Sequence, residues 1–338
     1  MTGVPSYELT TGMINLIAEI AELVAKTTLK MGQQPDHKLR KTYRIRTIHS
    51  STAIEGNTLT LAETTGVIEG KQVVAPKQEI LEIRNAFAAY ERIESLDPTS
   101  VDDLLAAHGI MMAGLSQDAG TLRSHDVGVF AGPLLIHKGV DPSEVPTLVA
   151  ELLSWLQTAG EHPLIKGCAF HGAFELIHPF SDGNGRTGRL WHSLINRRWR
   201  PVLAWAPVES MVQAHQMEYY QVLGFSESGD LTLFIEFMLE MLRDALLEMR
   251  GNSIVENVPP STPQVPPKYD YLVVALMEAL GQESLSVIEL MDRLELSDRK
   301  HFRQAYLRPA IEAGLIDPTI PNKPNSPRQK YRRCDSRV

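Results

Sequence analysis

Cysteine, long apolar stretches and excess positive charge are all scarce in this chain. Its 338 residues include two cysteines, Cys168 and Cys334, so a reducing, cytoplasmic setting is expected and no thiolate metal site is available. No basic-then-apolar leader opens the sequence, and no apolar run approaches the roughly 18 residues of a membrane span. We therefore expect neither secretion nor membrane insertion. The net charge of −8 argues against a protein coated in nucleic acid, although it leaves room for a local basic patch.

The hydrophobic fraction of 43% is enough to bury a substantial core, and the length allows two or three domains. Five prolines lie between Gly251 and Lys268. A packed helix does not tolerate that density, so this stretch is predicted to be a semi-extended linker at a domain boundary.

Apolar residues at helical spacing predict most of the secondary structure. Outside the polar run described next, the predicted helices are Met13–Lys30, Asp36–Ile54, Lys77–Ser95, Ser100–Met112, Ser143–Thr158, Glu209–Gly224, Leu231–Arg250, Tyr269–Leu280, Ser286–Leu294 and Ser297–Ala313.

A polar run lies between two apolar helical segments, Cys168–Ile177 and Leu190–Asn196. It reads His-Pro-Phe-Ser-Asp-Gly-Asn-Gly-Arg-Thr-Gly-Arg, from His178 to Arg189. A polar loop between two buried helices is typical of a site rather than of a linker.

The residues of this run predict an anion site. Gly183 and Gly185 let the backbone approach a ligand closely, and a helix begins directly after them. Unpaired N–H groups and the positive end of the helix dipole therefore face the loop, an arrangement that phosphate commonly occupies. Arg186 and Arg189 in the first turn would be disfavoured there unless an anion compensated them.

Two further residues suggest the chemistry. Asp182 is a hard oxygen ligand that suits Mg²⁺ bridging phosphate oxygens, and His178 can titrate near neutrality as a general base. Together with the anion site they predict phosphoryl or nucleotidyl transfer. The alternative is a Gly/Asn turn with surface arginines and a core histidine; it is reasonable for any one residue but not for the whole set.

The run resembles the signature of Fic-domain proteins, H-x-F-x-[D/E]-G-N-G-R-x-x-R, and matches every specified position. The resemblance implies transfer of AMP from ATP to a Tyr, Thr or Ser hydroxyl of a target protein, with release of pyrophosphate. It implies that His178 deprotonates the hydroxyl, that Asp182 holds Mg²⁺ and that Phe180 points into the core. The nucleotide-binding residues it implies are Gly183, Asn184, Gly185, Arg186, Thr187, Arg189 at the γ-phosphate, and Tyr219 from a later helix.

A second motif precedes this one. Ser51-x-x-x-Glu55-Gly56 resembles the inhibitory motif [S/T]-x-x-x-E-[G/N] of many Fic proteins, and Glu55 lies at a helix C-terminus, where a carboxylate is disfavoured. The resemblance implies that Glu55 pairs with Arg189, blocks the γ-phosphate position and inhibits the enzyme.

The resulting fold class is mainly α: a Fic-type helical bundle with a short β-hairpin flap, followed by a winged helix-turn-helix domain. The expected division is an N-terminal helical region at 1–75 with its inhibitory helix at about 36–57, a Fic core at 76–250, the linker at 251–268 and the winged helix at 269–338. The flap is assigned to Gly128–His137, where a target segment would dock by strand addition.

The role of the C-terminal domain stays open among DNA binding, protein docking and dimerisation. From Lys268 onward, 12 Lys and Arg face 10 Asp and Glu, which is only mildly basic and favours docking or dimerisation over DNA binding. Dimers are common among Fic proteins, so a homodimer is one candidate assembly.

Three other functions remain open from the sequence. The same glutamate and loop could remove AMP from modified proteins, or the enzyme could transfer a different phosphate-containing group. In a different class, the chain could be a DNA-binding regulator that uses the Fic core as a nucleotide sensor.

Overall fold

The structure is a computed structural model of the chain. It describes residues 3–32, 35–131, 134–226, 229–251, 276, 279–281, 284–294, 302–312, 315–320 and 329–334. The chain divides into two compact units, one of Met1–Val129 and His137–Asn257 and the other of Phe130–Ile136 and Val258–Val338. In the described part of the chain, no helix is both long enough and apolar enough to span a membrane.

Helices dominate the first unit, which confirms the mainly α class. The elements up to the hairpin are α1 (Thr11–Met31), α2 (His37–Ile54), α3 (Leu61–Ile68), α4 (Lys77–Glu91), α5 (Val101–Met111), β1 (Gly128–Ala131) and β2 (Leu134–Lys138). After the hairpin follow α6 (Val145–Thr158), α7 (Pro163–Ile177), α8 (Asn184–Trp199), a 3₁₀ turn (Pro201–Trp205), α9 (Val208–Ala214), α10 (Gln216–Phe225) and α11 (Thr232–Met249).

Side-chain caps explain where several of these helices begin. Thr10, Asp36 and Ser100 each accept a backbone N–H from the first turn of α1, α2 and α5. Thr60 and Glu63 form a complete capping box on α3, a helix that the hydrophobic spacing did not predict. Each cap is worth about 1 kcal/mol, which fixes the start of a helix more sharply than periodicity does.

The core is built around α7 and α8, which pack against each other. In α7, 13 of 15 residues are buried, including the polar His171 and Glu175, so the helix is covered on all sides. The loop that joins α7 to α8 is the first half of the polar run, residues 178–183, and the second half forms the start of α8. Because α7 and α8 are packed in the core, they hold both ends of the loop in place.

The prediction of a single helix from Glu209 to Gly224 is wrong, because the helix breaks at His215. His215 has φ −114° and ψ 33°, and its Nδ1 lies 3.0 Å from the carbonyl of Met211. The side chain thus engages a carbonyl of the preceding turn, and α10 begins at the next residue. This break brings Gln216 and Tyr220 towards the end of α2.

The described residues of the second unit include a helix at Val287–Arg293, capped by Ser286 and Glu289, and strands β3 (Ile316–Pro318) and β4 (Tyr331–Arg333). The strands pair antiparallel, with Asp317 opposite Arg332. The predicted helix Ser297–Ala313 is only partly described, and there it is π-helical at Phe302–Leu307 before an α-helical turn at Arg308–Glu312. The predicted helix Tyr269–Leu280 and the linker lie largely outside the described residues.

Candidate active site

The loop between α7 and α8 turns sharply because left-handed residues stand at both of its ends. His178 has φ 52° and is the only described non-glycine residue with a positive φ; Gly183 has φ 80°. A Cβ at Gly183 would lie 2.6 Å from Met112 Sδ, so glycine is required there for space as well as for conformation. The left-handed backbone of His178 is unfavourable by about 1–2 kcal/mol, so surrounding contacts must hold it.

Asn184 closes the loop from within. Its Oδ1 accepts from Phe180 N over 2.9 Å, and its Nδ2 donates to Phe180 O over 2.8 Å. The side-chain amide, which is 2% exposed, is thus used entirely on the loop. The side chain of Asn184 therefore shapes the loop, and nucleotide binding by this residue stays a prediction. Phe180 is fully buried, as expected.

His108 of α5 anchors the middle of the loop, a role that sequence reasoning missed. Its ring stacks on Phe180 with centroids 3.6 Å apart. Gly120 N donates to its Nδ1 over 2.9 Å, so the proton of the neutral ring lies on Nε2, which donates to Asp182 O over 2.9 Å. Burial lowers the pKa of His108, which favours this neutral form.

Asp118 and Arg123 hold further polar groups of the loop. The hydroxyl of Ser181 donates to the carboxylate of Asp118, and the buried guanidinium of Arg123 donates to the carbonyl of His178 over 2.7 Å. A loop whose groups are bonded in this way is set in place before any ligand arrives.

Arg186 and Asp182 lie together at the N-terminus of α8. Arg186 Nη2 is 3.1 Å from Asp182 Oδ1; the arginine side chain is 5% exposed and the aspartate side chain 64% exposed. Arg186 Nε is buried without a hydrogen-bond partner in the described part of the chain. A buried donor left unpaired costs about 1–3 kcal/mol, so this terminus suits an incoming anionic oxygen.

Arg189, one turn further along α8, is held by α2. Its Nη2 donates to Glu55 Oε1 over 2.6 Å and to Ser51 O over 2.9 Å, and its Nε donates to Ser51 Oγ over 3.1 Å. Arg189 is 2% exposed and the Glu55 side chain 31% exposed. A Cβ at Gly185 would collide with Glu55 and lie 2.9 Å from Arg189 Nη1, so glycine makes this close approach possible.

The charges of this pair stabilise one another. Burial alone would raise the pKa of Glu55, but the positive charges of Arg189 and Arg186 outweigh it, and the pKa is lowered. Burial would lower the pKa of Arg189, whereas Glu55 raises it well above its usual value. Both groups are therefore ionised at neutral pH.

The end of α2 is held in place by α10. Gln216 Nε2 donates to the carbonyl of Ile54 over 2.9 Å, and the Tyr220 hydroxyl approaches the same carbonyl at 3.3 Å. Because Ile54 directly precedes Glu55, these bonds determine where the carboxylate lies.

Two residues that are expected to bind nucleotide are buried in this structure. Tyr219 is 2% exposed, and its hydroxyl lies 3.2 Å from His171 Nε2 inside the core. The side chain of Thr187 is fully buried. Neither side chain can touch a ligand in this conformation, and Tyr220, 40% exposed, is the tyrosine of α10 that reaches the surface.

A cluster of buried titratable groups lies on α7 and α8. Burial lowers the pKa of both His171 and His192 to about 3 and raises the pKa of the Cys168 thiol. These imidazoles are neutral and the thiol is protonated, so the cluster is structural.

Comparison with known proteins places this geometry in a family. Residues 98–195 match the model of the Fic/DOC family, and residues 272–333 match that of the "Filamentation induced by cAMP protein Fic-like, C-terminal domain". A solved Fic family protein from Desulfovibrio desulfuricans G20 is 45% identical, with 98% of this chain and 99% of that chain covered and a TM-score of 0.71. The chain belongs to the Fic family.

More distant Fic relatives carry a name that describes an activity. The protein adenylyltransferase fic-1 of Caenorhabditis briggsae is 30% identical over 235 residues, which cover 65% of this chain and 42% of that protein. The protein adenylyltransferase Fic of Nematostella vectensis is 29% identical, with 62% and 50% covered. The Fic chain thus spans half or less of these relatives' length.

Proposed function

We propose that the chain transfers AMP from ATP to a Tyr, Thr or Ser hydroxyl of a target protein and releases pyrophosphate. One observation carries the proposal: a histidine, an exposed carboxylate and the N-terminus of α8 lie on one loop whose backbone is bonded in place. The names of the relatives support the same reaction.

His178 is the proposed general base. Its Nδ1 lies 3.3 Å from the carbonyl of Glu175. A proton on Nδ1 would be donated to that carbonyl, which leaves the basic lone pair of the neutral ring on Nε2. The target oxygen attacks the α-phosphorus as its proton passes to Nε2, the bond from the α-phosphorus to the bridging oxygen breaks, and pyrophosphate leaves.

The first turn of α8 and Arg186 would hold the phosphates. Backbone N–H groups at 184–186 belong to the turn that lacks intrahelical partners, and the buried Arg186 Nε offers a further donor. These groups neutralise negative charge on the triphosphate and keep the leaving pyrophosphate in line with the attacking oxygen.

The residues present fit a single Mg²⁺ that is bound partly by the protein and partly by phosphate oxygens of the substrate. Among the described residues no three His, Cys, Asp or Glu side chains form a metal cluster, so an all-protein cage is not available there. Mg²⁺ instead favours one or two carboxylates with phosphate oxygens and water, and Asp182 is an exposed carboxylate beside the phosphate position. When bound, the ion would offset charge on the phosphates.

Glu55 is the proposed inhibitor. Its carboxylate accepts a hydrogen bond from Arg189, the residue that the family resemblance assigns to the γ-phosphate. Two anions cannot share this arginine favourably, so ATP would bind productively only after Glu55 withdraws. We further propose that the target docks by strand pairing on the hairpin β1–β2 and that the C-terminal unit serves docking or dimerisation.

The test compares wild type, Glu55→Gly and Glu55→Gly/His178→Ala, each incubated with cell lysate, Mg²⁺ and ATP labelled at either the α- or the γ-position. We expect protein labelling from the α-position alone, strong in the single variant and absent in the double variant. Label from the γ-position would replace the proposal with phosphoryl transfer. No label in any lane would favour AMP removal or nucleotide sensing instead.

A further inference from the structure

Arg123 is a buried cation whose guanidinium donates hydrogen bonds to backbone carbonyls. It is 3% exposed. On one side it binds the segment that carries the proposed base: Nε donates to His178 O over 2.7 Å, Nη2 approaches Ile177 O at 3.3 Å, and the backbone N donates to Pro179 O over 3.0 Å. Three consecutive carbonyls, at the point where α7 ends and the chain enters its left-handed turn, are thus held by one residue.

On the other side the same guanidinium binds both ends of the hairpin. Nη1 donates to His125 O over 3.0 Å, ahead of β1, and Nη2 donates to Val140 O over 2.6 Å, after β2. Gly139 N donates to Val127 O over 3.1 Å and closes the base of the hairpin. A Cβ at Gly139 would lie 2.8 Å from Arg123 Nη2, so the chain also leaves room for the guanidinium here.

The charge of Arg123 matches its surroundings. The carbonyl of Ile177 belongs to the last turn of α7, where the negative end of the helix dipole favours a cation. The planar guanidinium of an arginine can donate hydrogen bonds to several carbonyls at once, whereas the ammonium of a lysine has fewer donors and cannot reach carbonyls that lie as far apart. The site therefore requires the guanidinium group and not only a positive charge.

We propose that Arg123 is a positioning residue that sets His178 in register with the base of the hairpin β1–β2. The inference rests on the proposed function, in which the target docks on that hairpin and His178 takes its proton. Arg123 contacts residues 177–179 and leaves the phosphate position at 183–186 untouched. Its loss therefore misaligns the base relative to the target hydroxyl while ATP binding is retained.

The test introduces Arg123→Met and Arg123→Lys into the Glu55→Gly chain. The matched control is Arg198→Met, because Arg198 Nη2 also donates to a backbone carbonyl, that of Leu96, over 2.8 Å. We expect kcat for AMP transfer to fall about 100-fold with methionine and about tenfold with lysine, the size of loss that a shift of about 1 Å produces. The Kd for ATP should stay within about twofold, and the control should change neither quantity.

Two results would overturn the inference: a kcat that survives Arg123→Met, or a Kd for ATP that weakens in proportion to the loss of kcat. Should methionine prevent folding, the lysine variant, which keeps the charge, decides the question through the same two quantities.

Amide hydrogen exchange separates this inference from the proposed function, because it needs no transfer activity. In Arg123→Lys, exchange should speed up at 125–127, 139–140 and 177–180 and stay unchanged at 184–187. If the Glu55→Gly parent transfers no AMP, the proposed function fails, and this pattern still decides whether Arg123 couples the two segments. An equal increase in exchange at 177–180 and at 184–187 would contradict the coupling of the hairpin to the segment of His178.

Discussion

Replacing Glu55 with glycine should activate AMP transfer, and the structure supplies the size of the effect. The substitution removes the carboxylate that Arg189 Nη2 binds over 2.6 Å. It leaves the two bonds from Arg189 to Ser51 in place, so the arginine stays oriented towards the incoming phosphate. The backbone at position 55, with φ −88°, places no strain on the new glycine.

The magnitude follows from the burial of the two partners. Removing one member of a buried, hydrogen-bonded charge pair typically changes the free energy by about 2–5 kcal/mol. Since the Glu55 side chain is 31% exposed, solvent screens it, and the lower end of about 2 kcal/mol applies. Each 1.4 kcal/mol is a factor of ten, so productive ATP binding should improve about 30-fold.

The assay measures initial rates of AMP incorporation at subsaturating ATP. Glu55→Gln keeps the size of the side chain and loses its charge, so its rate should fall between wild type and Glu55→Gly. The control is Glu94→Gln, since Glu94 is also a carboxylate paired with an arginine of α8, Arg197 at 3.2 Å, near the opposite end of that helix from the loop. Equal turnover by wild type and Glu55→Gly, or equal activation by the control, would refute the assignment of Glu55 as inhibitor.

Three further predictions concern stability and the position of α2. Asn184→Ala removes both bonds that close the loop and should lower the free energy of unfolding by about 2–3 kcal/mol, measured by urea denaturation; an unchanged midpoint would contradict the closing role. Burial lowers the pKa of His171 and His192 to about 3, so between about pH 3 and pH 6.5 the unfolded chain binds more protons than the folded chain. The free energy of unfolding should therefore fall by about 2 kcal/mol for each histidine from pH 7 to pH 5. His192→Gln should flatten that pH dependence. Gln216→Ala frees the carbonyl that ends α2 and should raise transfer by the wild-type chain about twofold to tenfold, with no added effect in the Glu55→Gly chain.

The sequence predicted those parts of the fold that local signals determine. Asp36 and Ser100 are polar caps before periodic apolar residues, and the helices that follow them begin at His37 and Val101. The polar run was recognisable because its residues are contiguous and match a long signature. The apolar segments on either side predicted the helices that flank its loop, although α8 begins inside the run, at Asn184.

The rest depended on contacts that no local pattern reports. His108 and Arg123 act through carbonyls up to 74 residues away, so nothing in their own neighbourhood marks them out. The amide of Asn184 could equally have faced a ligand or the loop, and only the folded backbone decides. Tyr219 and Tyr220 are adjacent, so the break at His215 determines which of them is buried.

The order of Glu55 and Arg189 along the chain has a consequence during synthesis. A ribosome makes the N-terminal segment first, so α2 has left the exit tunnel before the loop and α8 are translated. The glutamate is available to the arginine as soon as the latter emerges. If Glu55 is the inhibitor, as proposed, the active site of a newly made chain is blocked as soon as it forms. A separate event must then move Glu55 away from Arg189 before the enzyme is active.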